Sequence, residues 1–222
     1  MNVTDIEIKI DVRSPIHLGS GQEDVNLDAE VVHDACGLPY FPAKRFKGLL
    51  YESALEVSEM SALSGCDLIS EQTLKELFRH DDTESIVQLI ISDFYLKPEK
   101  EYTKLRGELE LLQEAYPELL RSSDVLDAYT SVRYQTALED GVAQKGTLHN
   151  MRVVDSDGVA FYGTVQLVNG EDRHLRAFAL ALRNLSCAGM KRNRGFGRIQ
   201  CSMTDTAKEH EILSAALAGE VE

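Results

Sequence analysis

The sequence predicts an α+β fold: a ferredoxin-like (RRM-like) β-α-β-β-α-β core with helical insertions and an extended, thumb-like arm. Residues 6–12 alternate apolar and charged side chains, which is the period of a strand with one buried face. Two segments, near residues 43–57 and 172–185, place apolar side chains on one helical face. Strand-like segments follow each of these helices and complete the order of the core.

Length and composition indicate a globular chain of one large domain or two small ones. With 222 residues and 43% hydrophobic composition, the chain can bury a sizeable core. No apolar run reaches membrane-spanning length and the N-terminus lacks a signal-peptide pattern, so we expect a cytoplasmic protein with no membrane partner. The four cysteines form no C-x-x-C pair, which fits reduced structural thiols and gives no zinc-site spacing.

The charges are unevenly distributed along the chain. A net charge of −14 argues against binding to nucleic acid, because affinity for phosphate comes from positive charge. However, residues 42–50 and 189–198 hold cations and no acid, whereas acids concentrate in residues 98–128 and after Thr204. We therefore expect a surface segregated by sign, with two basic segments that can face a polyanion.

The first strand leads into a glycine-containing loop, residues 14–22, which places His17 near the end of the strand. Residues 27–34 predict a short second strand. A turn at Gly37 and two prolines then bring the chain to the start of a helix at Pro42, because proline is accepted in the first turn of a helix.

The start of this helix carries an unusual charge pattern. Its core-facing side is predicted from apolar residues at helical spacing: Phe46, Leu49, Leu50, Ala54 and Val57. Lys44, Arg45 and Lys47 place three cations in the first turns, where the helix macrodipole disfavours positive charge. A nearby anion such as a phosphate backbone explains this pattern, and a solvated face explains it equally well, so these residues alone leave both open.

The middle of the chain alternates insertions with extended segments. Residues 58–85 and 98–128 are predicted to be largely helical insertions. The largely apolar residues 86–96 between them predict a buried central strand. Residues 131–150 predict an extended, mobile arm.

The last third of the chain closes the core. Residues 151–155 and 159–168 predict a hairpin, and a core-facing helix follows Asp172. Residues 188–199 then form a basic glycine loop that feeds the last strand; glycines allow close backbone approach and four cations attract a polyanion. The loop does not match the Walker or dinucleotide patterns, which place their glycines before a helix.

Several short motifs occur in the order and spacing of one known family. They are His17-Leu-Gly-Ser-Gly21, Leu27-Asp-Ala-Glu-Val-Val-His-Asp34, Gly37-Leu-Pro-Tyr-Phe-Pro42, Phe46-Lys-Gly48, Ile91-Ser-Asp93, Arg133 with Thr136-Ala-Leu-Glu-Asp140, Gly163, and Gly195-Phe-Gly197. By these motifs the chain, from about residue 6 to residue 204, resembles the RAMP superfamily of CRISPR effector proteins, which implies a single RAMP domain over residues 1–222. Among its branches, the chain looks most like the repeated backbone subunit of type III complexes.

The resemblance implies a protein that lines up along a guide RNA and grips its sugar-phosphate backbone, while base pairing to a target RNA supplies sequence specificity. Its implied partners are guide RNA, target RNA, other effector subunits and further copies of itself. Residues 137–149 would form the arm that pries the duplex, with Val142 and Leu148 as wedges. The implied RNA-binding residues are His17, Lys44, Arg45, Lys47, Arg133, Lys191, Arg192 and Arg194.

In the catalytic branch of this family, one aspartate before the glycine-proline motif is implicated in metal-dependent cleavage of the target RNA. Asp28 occupies that position, so the resemblance makes it the candidate catalytic residue and the ligand of a divalent metal ion, magnesium or manganese. A lone aspartate is an incomplete metal site, so water and RNA phosphate would have to complete the coordination shell. His17 falls on a family histidine, and as an isolated histidine it suits a structural or phosphate-binding role better than that of a base.

Three alternatives remain open from the sequence. The chain departs from the family at Ala43-Lys-Arg45, where small polar residues are usual, which leaves its branch undecided. It could be a structural RAMP subunit without catalysis, or a guide-processing ribonuclease that uses His17 or His33. From another class, it could be an acidic assembly protein that binds no RNA.

Overall fold

The computed structural model describes residues 2–21, 27–78, 86–139 and 141–218. Its helices and strands follow one another as β1 (Val3–Val12), α1 (Ala43–Leu63), α2 (Glu71–Phe78), β2 (Gln88–Ile91), α3 (Glu99–Ala115), α4 (Ser122–Tyr129), β3 (Thr130–Gln135), β4 (Leu138–Glu139), β5 (Val142–Ala143), β6 (His149–Val154), β7 (Ala160–Val168), α5 (Asp172–Asn184), β8 (Ile199–Met203) and α6 (Thr206–Ala218). A 3₁₀ turn, Arg192–Arg194, precedes β8.

Four strands form a central antiparallel sheet in the order β2-β7-β1-β8. In the middle of this sheet, Ile8 of β1 lies opposite Gly163 of β7 and Met203 of β8. The alternation predicted for β1 is confirmed, because Ile6, Ile8, Ile10 and Val12 all enter one core with apolar side chains of α1 and α5. The strand order and the two core helices confirm the predicted ferredoxin-like α+β fold.

The helix predicted at Pro42 is confirmed as α1, and its predicted apolar face is buried. Pro42 has no side-chain oxygen with which to cap the helix. Instead, the Ala43 N–H donates to Oδ1 of Asp93 at 2.7 Å, and a carboxylate at this end also suits the helix macrodipole. The rings of Phe46 and Phe94 lie 4.5 Å apart, so the start of α1 is fixed to the segment that follows β2.

The predicted arm, residues 131–150, is a two-stranded ribbon. β3 pairs with β6, with Gln135 opposite His149, and β4 pairs with β5 towards the tip. Val142 and Leu148 are 70% and 65% exposed, so the arm presents apolar side chains to its surroundings instead of packing them in the core. Asp140, part of the family-like motif, lies outside the described residues.

The prediction of a buried central strand at residues 86–96 is wrong. Only Gln88–Ile91 form β2, and β2 lies at an edge of the sheet because β7 separates it from β1. Ile90 is accordingly 47% exposed. The buried part of residues 86–96 lies near its aromatic end instead, where Phe94 is completely buried and forms a backbone bridge with Phe41.

Two further local predictions are wrong. Residues 27–34 form no strand; the bridges from Val31 to Gly19 and from His33 to Pro39 are isolated ones. Residues 151–155 and 159–168 do not pair with each other, because β6 pairs with the arm strand β3 while β7 enters the central sheet. Periodicity predicted the strands at residues 151–155 and 159–168, but it could not identify the strands with which they pair.

The two predicted insertions are helical over most of their described length. Of residues 58–85, the described part contains the end of α1 and all of α2, and residues 79–85 lie outside it. In the second insertion, α3 ends at Ala115, two residues before Pro117. None of the helices that the structure describes is long and apolar enough to cross a membrane, and all four cysteines are free thiols.

Candidate nucleic-acid interface

A cavity of about 510 Å³ lies where the loop after β1, the start of α1 and the basic glycine loop meet. Its lining comes from segments far apart in the sequence: His17, Gly19, Ser20, Gly21, Asp28, Ala29, Glu30, Arg45, Leu49, Gly189 and Met190. The two basic segments predicted from the sequence therefore meet on one side of the molecule. We call this space the junction cavity.

His17 is 2% exposed and forms part of the wall of the junction cavity. Its Nδ1 lies 2.7 Å from the Arg152 carbonyl oxygen and therefore carries the proton that it donates there. The ring packs against Gly19, where an added Cβ would lie 2.7 Å from Nε2 of His17. The histidine thus fixes the loop after β1, with Nε2 directed towards Gly19.

Arg45 is the cation of α1 that reaches the junction cavity. Its Nη2 donates to the Gly19 carbonyl at 2.9 Å, a neutral partner that leaves the positive charge of the guanidinium in place. Lys44 and Lys47 face a separate, smaller cavity with Tyr51. The structure therefore divides the three predicted cations of α1 between two adjacent surfaces.

The basic glycine loop is held against the loop after β1 by backbone contacts. Gly189 has φ 80°, and an added Cβ there would lie 2.6 Å from the His17 carbonyl oxygen. The Met190 N–H donates to the same carbonyl at 3.2 Å. Only glycine fits this approach, which explains why the loop requires one at this position.

The three predicted cations of the loop point to different neighbours. Lys191 hydrogen-bonds through Nζ to the Gln135 side chain on the arm. Arg192 lies 3.7 Å from a carboxylate oxygen of Glu52 on α1. Arg194 is exposed. The loop, whose Gly189 and Met190 line the junction cavity, therefore contacts both the arm and α1.

Asp28 joins the junction cavity to the base of the arm. Its Oδ2 accepts the Asn150 N–H at 2.8 Å, while its own N–H donates to Oδ1 of Asn150 at 2.8 Å. Nδ1 of His149 lies 3.4 Å from the same Oδ2. Asp28 is nevertheless 56% exposed, and Oδ1 accepts no hydrogen bond from any residue the structure describes. One carboxylate oxygen is thus fixed, and the other has no hydrogen-bond partner among the residues the structure describes.

Arg133 lies on the arm, away from the lining of the junction cavity. It faces Asp155 at 3.8 Å and is about half exposed. Arg152, two residues after Asn150, instead contacts a residue that lines the cavity, because its Nε lies 3.0 Å from Glu30. Its Nη1 also contacts Asp127. The sequence did not single out Arg152, His149 or Asn150. Their contacts at this site are with Asp28 or Glu30, more than a hundred positions away in the chain, and no local pattern marks such contacts.

The described residues do not form a complete metal centre. Within the described ranges, no group of three or more His, Cys, Asp or Glu side chains lies close enough to hold a metal ion. At this site, Asp28 and His149 are two potential metal ligands that lie close together, with Nδ1 of His149 3.4 Å from Oδ2 of Asp28. That Oδ2 is already hydrogen-bonded to Asn150. Among the described residues, the donor set therefore offers one carboxylate oxygen that would share an ion with other ligands, and it does not form a resident metal site.

Comparison with known proteins gives the family. The family model of the RAMP superfamily matches residues 9–200. The chain belongs to the RAMP superfamily. No curated protein sequence matches this RAMP protein.

Solved structures with the same fold are similar over almost the whole chain. One is a chain of the type III-B Cmr-beta complex bound to cognate target RNA, with a TM-score of 0.63, 13% identity, and coverage of 95% of this chain and 99% of that one. Another is from the apo state of type III-B Cmr-beta, with a TM-score of 0.61, 12% identity, and coverage of 90% and 97%. At these identities the likeness establishes the fold of this RAMP protein.

Proposed function

We propose that this RAMP protein is a backbone subunit of a type III CRISPR effector complex in the cytoplasm. It binds guide RNA, holds the paired target RNA and, at Asp28, cleaves the target at regular intervals. The observation that carries the proposal is the meeting of Arg45, the basic glycine loop and Asp28 at the junction cavity. Membership of the RAMP superfamily and a fold shared with a chain from a type III-B complex bound to target RNA support it.

The charges around the junction cavity suit a sugar-phosphate backbone. Arg45 and Lys191 hydrogen-bond to neutral oxygens, so their positive charges remain available to an anion. Lys44 and Lys47 extend the basic surface along the next part of α1. The predicted guide path therefore runs from α1, across the mouth of the cavity, to the arm.

On this proposal, Asp28 acts on the RNA that follows this path. Its fixed Oδ2 sets the orientation of the carboxylate, and its Oδ1 can either orient a ribose 2′-hydroxyl for in-line attack on the adjacent phosphate or bind a divalent ion. A magnesium or manganese ion held by Asp28, water and RNA phosphate oxygens would supply Lewis-acid activation of the phosphate. The arm holds Asp28 through Asn150, which couples the position of the arm to the position of the carboxylate.

A specific observation also favours a second candidate function, a structural subunit without catalysis. The two hydrogen bonds between Asp28 and Asn150 by themselves give Asp28 a structural role, because they attach the arm to the rest of the protein. In that case the chain would bind guide and target RNA, and another subunit would cleave.

Two substitutions at Asp28 separate the candidates. In Asp28→Asn, the amide oxygen can still accept the Asn150 N–H, so the complex should assemble with its RNA while cleavage falls roughly 100-fold or more. Asp28→Ala loses both the charge and the hydrogen bond, and should weaken the attachment of the arm as well. Asp157→Asn, the same chemical change at an exposed turn, is the matched control.

The readout is the rate of target-RNA cleavage by assembled complexes, with and without EDTA. We expect cleavage to require Asp28 and a divalent ion and to be unchanged in Asp157→Asn. If complexes with Asp28→Asn cleave at the native rate, the catalytic assignment fails and the structural subunit is the better conclusion.

A further inference from the structure

A second cavity, of about 470 Å³, lies over the outer face of the central sheet, the face that does not enter the core. It is lined by Glu7, Ile8, Ile90, Ile91, Ser92, Asp93, Tyr95, Pro98, Glu99, Tyr162, Gly163, Thr164, Gln166 and Thr204. It shares no lining residue with the junction cavity. We call it the sheet cavity, and the proposed RNA-binding function does not use it.

Two tyrosines stand side by side in the wall of the sheet cavity. The backbones of Tyr95 and Tyr162 exchange two hydrogen bonds, of 2.8 and 2.6 Å, which places the residues directly opposite each other. The ring of Tyr95 stacks on Tyr102 with centroids 4.1 Å apart, which fixes its orientation. Burial, assisted by Asp93, raises the pKa of Tyr95, so its phenol stays neutral. The wall therefore offers rigid, uncharged aromatic surface.

The other chemical feature of the sheet cavity is negative charge. Glu7, Asp93 and Glu99 line it, and none of its described lining residues is Lys, Arg or His. Glu7 accepts the Thr204 hydroxyl at 3.1 Å, and Asp93 accepts the Ala43 N–H with one oxygen. The Glu99 carboxylate accepts no hydrogen bond from the described residues, because the Thr103 hydroxyl donates to its backbone carbonyl. None of the three carboxylates forms an ion pair with a described Lys, Arg or His.

Two cations near the sheet cavity are already paired outside it. Nζ of Lys9, on the same sheet face, lies 2.8 Å from Asp11. Nε of Arg106, whose charge reaches Tyr95, lies 2.9 Å from Glu110. An incoming group with a positive charge therefore finds carboxylates that no cation of the lining neutralises, whereas an RNA phosphate would be repelled.

We propose that the sheet cavity receives an arginine side chain of a partner protein. A guanidinium group is planar, stacks on tyrosine rings and donates hydrogen bonds to carboxylates, and the cavity provides both kinds of partner. The half-exposed Ile90 beside them offers contact area for an apolar residue next to that arginine. The occupant is thus a short basic and apolar protein segment, and the interface is separate from the RNA path.

Short peptides test the proposal on the intact chain. The isotope-labelled protein is titrated with acetyl-Leu-Arg-Leu-amide and with acetyl-Leu-Gln-Leu-amide, and backbone amide shifts are followed by NMR. We expect the arginine peptide to shift the amides of Tyr95, Tyr162 and Thr164, and the glutamine peptide to leave them unchanged.

Variants and a nucleic-acid probe complete this test. The double variant Glu7→Gln/Glu99→Gln should bind the arginine peptide about tenfold more weakly, because it removes two of the carboxylates that attract the guanidinium group. Glu108→Gln/Glu114→Gln, on the exposed side of α3, removes the same charge away from the cavity and should bind normally. Equal shifts with both peptides, no shift at millimolar peptide, or native affinity in the cavity variant would overturn the proposal. Shifts of the same amides by a uridylate hexamer in place of the arginine peptide would identify the face as an RNA surface instead.

Discussion

At the scale of single residues, the junction cavity depends on a backbone approach that only glycine allows. Replacing Gly189 with alanine would put a methyl group 2.6 Å from the His17 carbonyl in a left-handed backbone conformation. We predict that Gly189→Ala lowers the free energy of unfolding by at least about 2 kcal/mol, the sum of conformational strain and steric overlap.

Gly195→Ala is the matched control for this prediction. Gly195 has nearly the same φ, 84°, but an added Cβ would meet nothing within 4 Å. Its substitution should cost only the strain of the left-handed conformation, about 1 kcal/mol. Urea unfolding of both variants measures the difference, and equal costs would show that the loops are not held together through Gly189.

The residues of the site could be predicted only where a local pattern marked them. Arg45 and Lys191 belong to acid-free basic segments, and Asp28 and His17 match motifs of a known family. No local pattern indicates Asn150, because its role depends on a hydrogen bond with Asp28, 122 positions away in the sequence. Arg45 was predicted together with Lys44 and Lys47, and only the three-dimensional course of α1 separates them.

At the scale of elements, a hydrogen bond and an ion pair to one carboxylate join α2 to α5. Nε2 of His174, a completely buried side chain, lies 2.7 Å from Glu76, and Arg173 lies 3.0 Å from the same carboxylate. Burial opposes the ionisation of Glu76, but hydrogen bonds from His174 and Gln72 and the charge of Arg173 outweigh it and hold the pKa of Glu76 below its ordinary value of 4.5. The ionised carboxylate therefore stabilises the contact.

This depressed pKa predicts the pH dependence of one variant. Since the pKa of Glu76 is lower in the folded state, its contribution is complete above pH ~4.5 and is lost as pH falls through the folded-state value. Glu76→Gln should cost about 2 kcal/mol of unfolding free energy near pH 7, and the difference from the native protein should shrink below pH ~4.5.

Glu71→Gln tests whether that effect depends on the buried contact. Glu71 lies on the same helix but is exposed and pairs with Lys75 at 2.7 Å. Its substitution should leave the denaturation midpoint unchanged at neutral pH. A Glu76→Gln cost that stays constant with pH would contradict the ionic contact between α2 and α5.

Elements with a strong internal period could be predicted, and elements defined by their partners could not. The alternation of β1 and the apolar stripe of α1 follow from local geometry, and both are found as expected. The edge position of β2 and the pairing of β6 with the arm depend on which strand fills each neighbouring place. An apolar run such as residues 86–96 contains no information about that choice.

At the scale of the whole molecule, the two cavities differ in charge. The chain is acidic overall, yet two basic segments meet at the junction cavity, beside Asp28 and Glu30, while every charged residue that lines the sheet cavity is a carboxylate. The sequence predicted the fold plan, because it follows from the order of the elements. It could not predict the sheet cavity, which forms only when β1, β7 and the start of α3 come together.

RNA retention is the most direct test of the central claim, that the junction cavity grips an RNA backbone. Assembled complexes are washed at increasing salt, and the ratio of nucleotide to protein is measured. The complexes contain the native chain, the loop variant Arg192→Gln/Arg194→Gln or the control variant Lys100→Gln/Lys104→Gln. The control loses the same charge at exposed positions of α3. We predict that the loop variant loses RNA at lower salt, with a salt dependence reduced by about two phosphate contacts, while the α3 variant behaves as native. Equal retention of RNA by all three proteins would contradict the account.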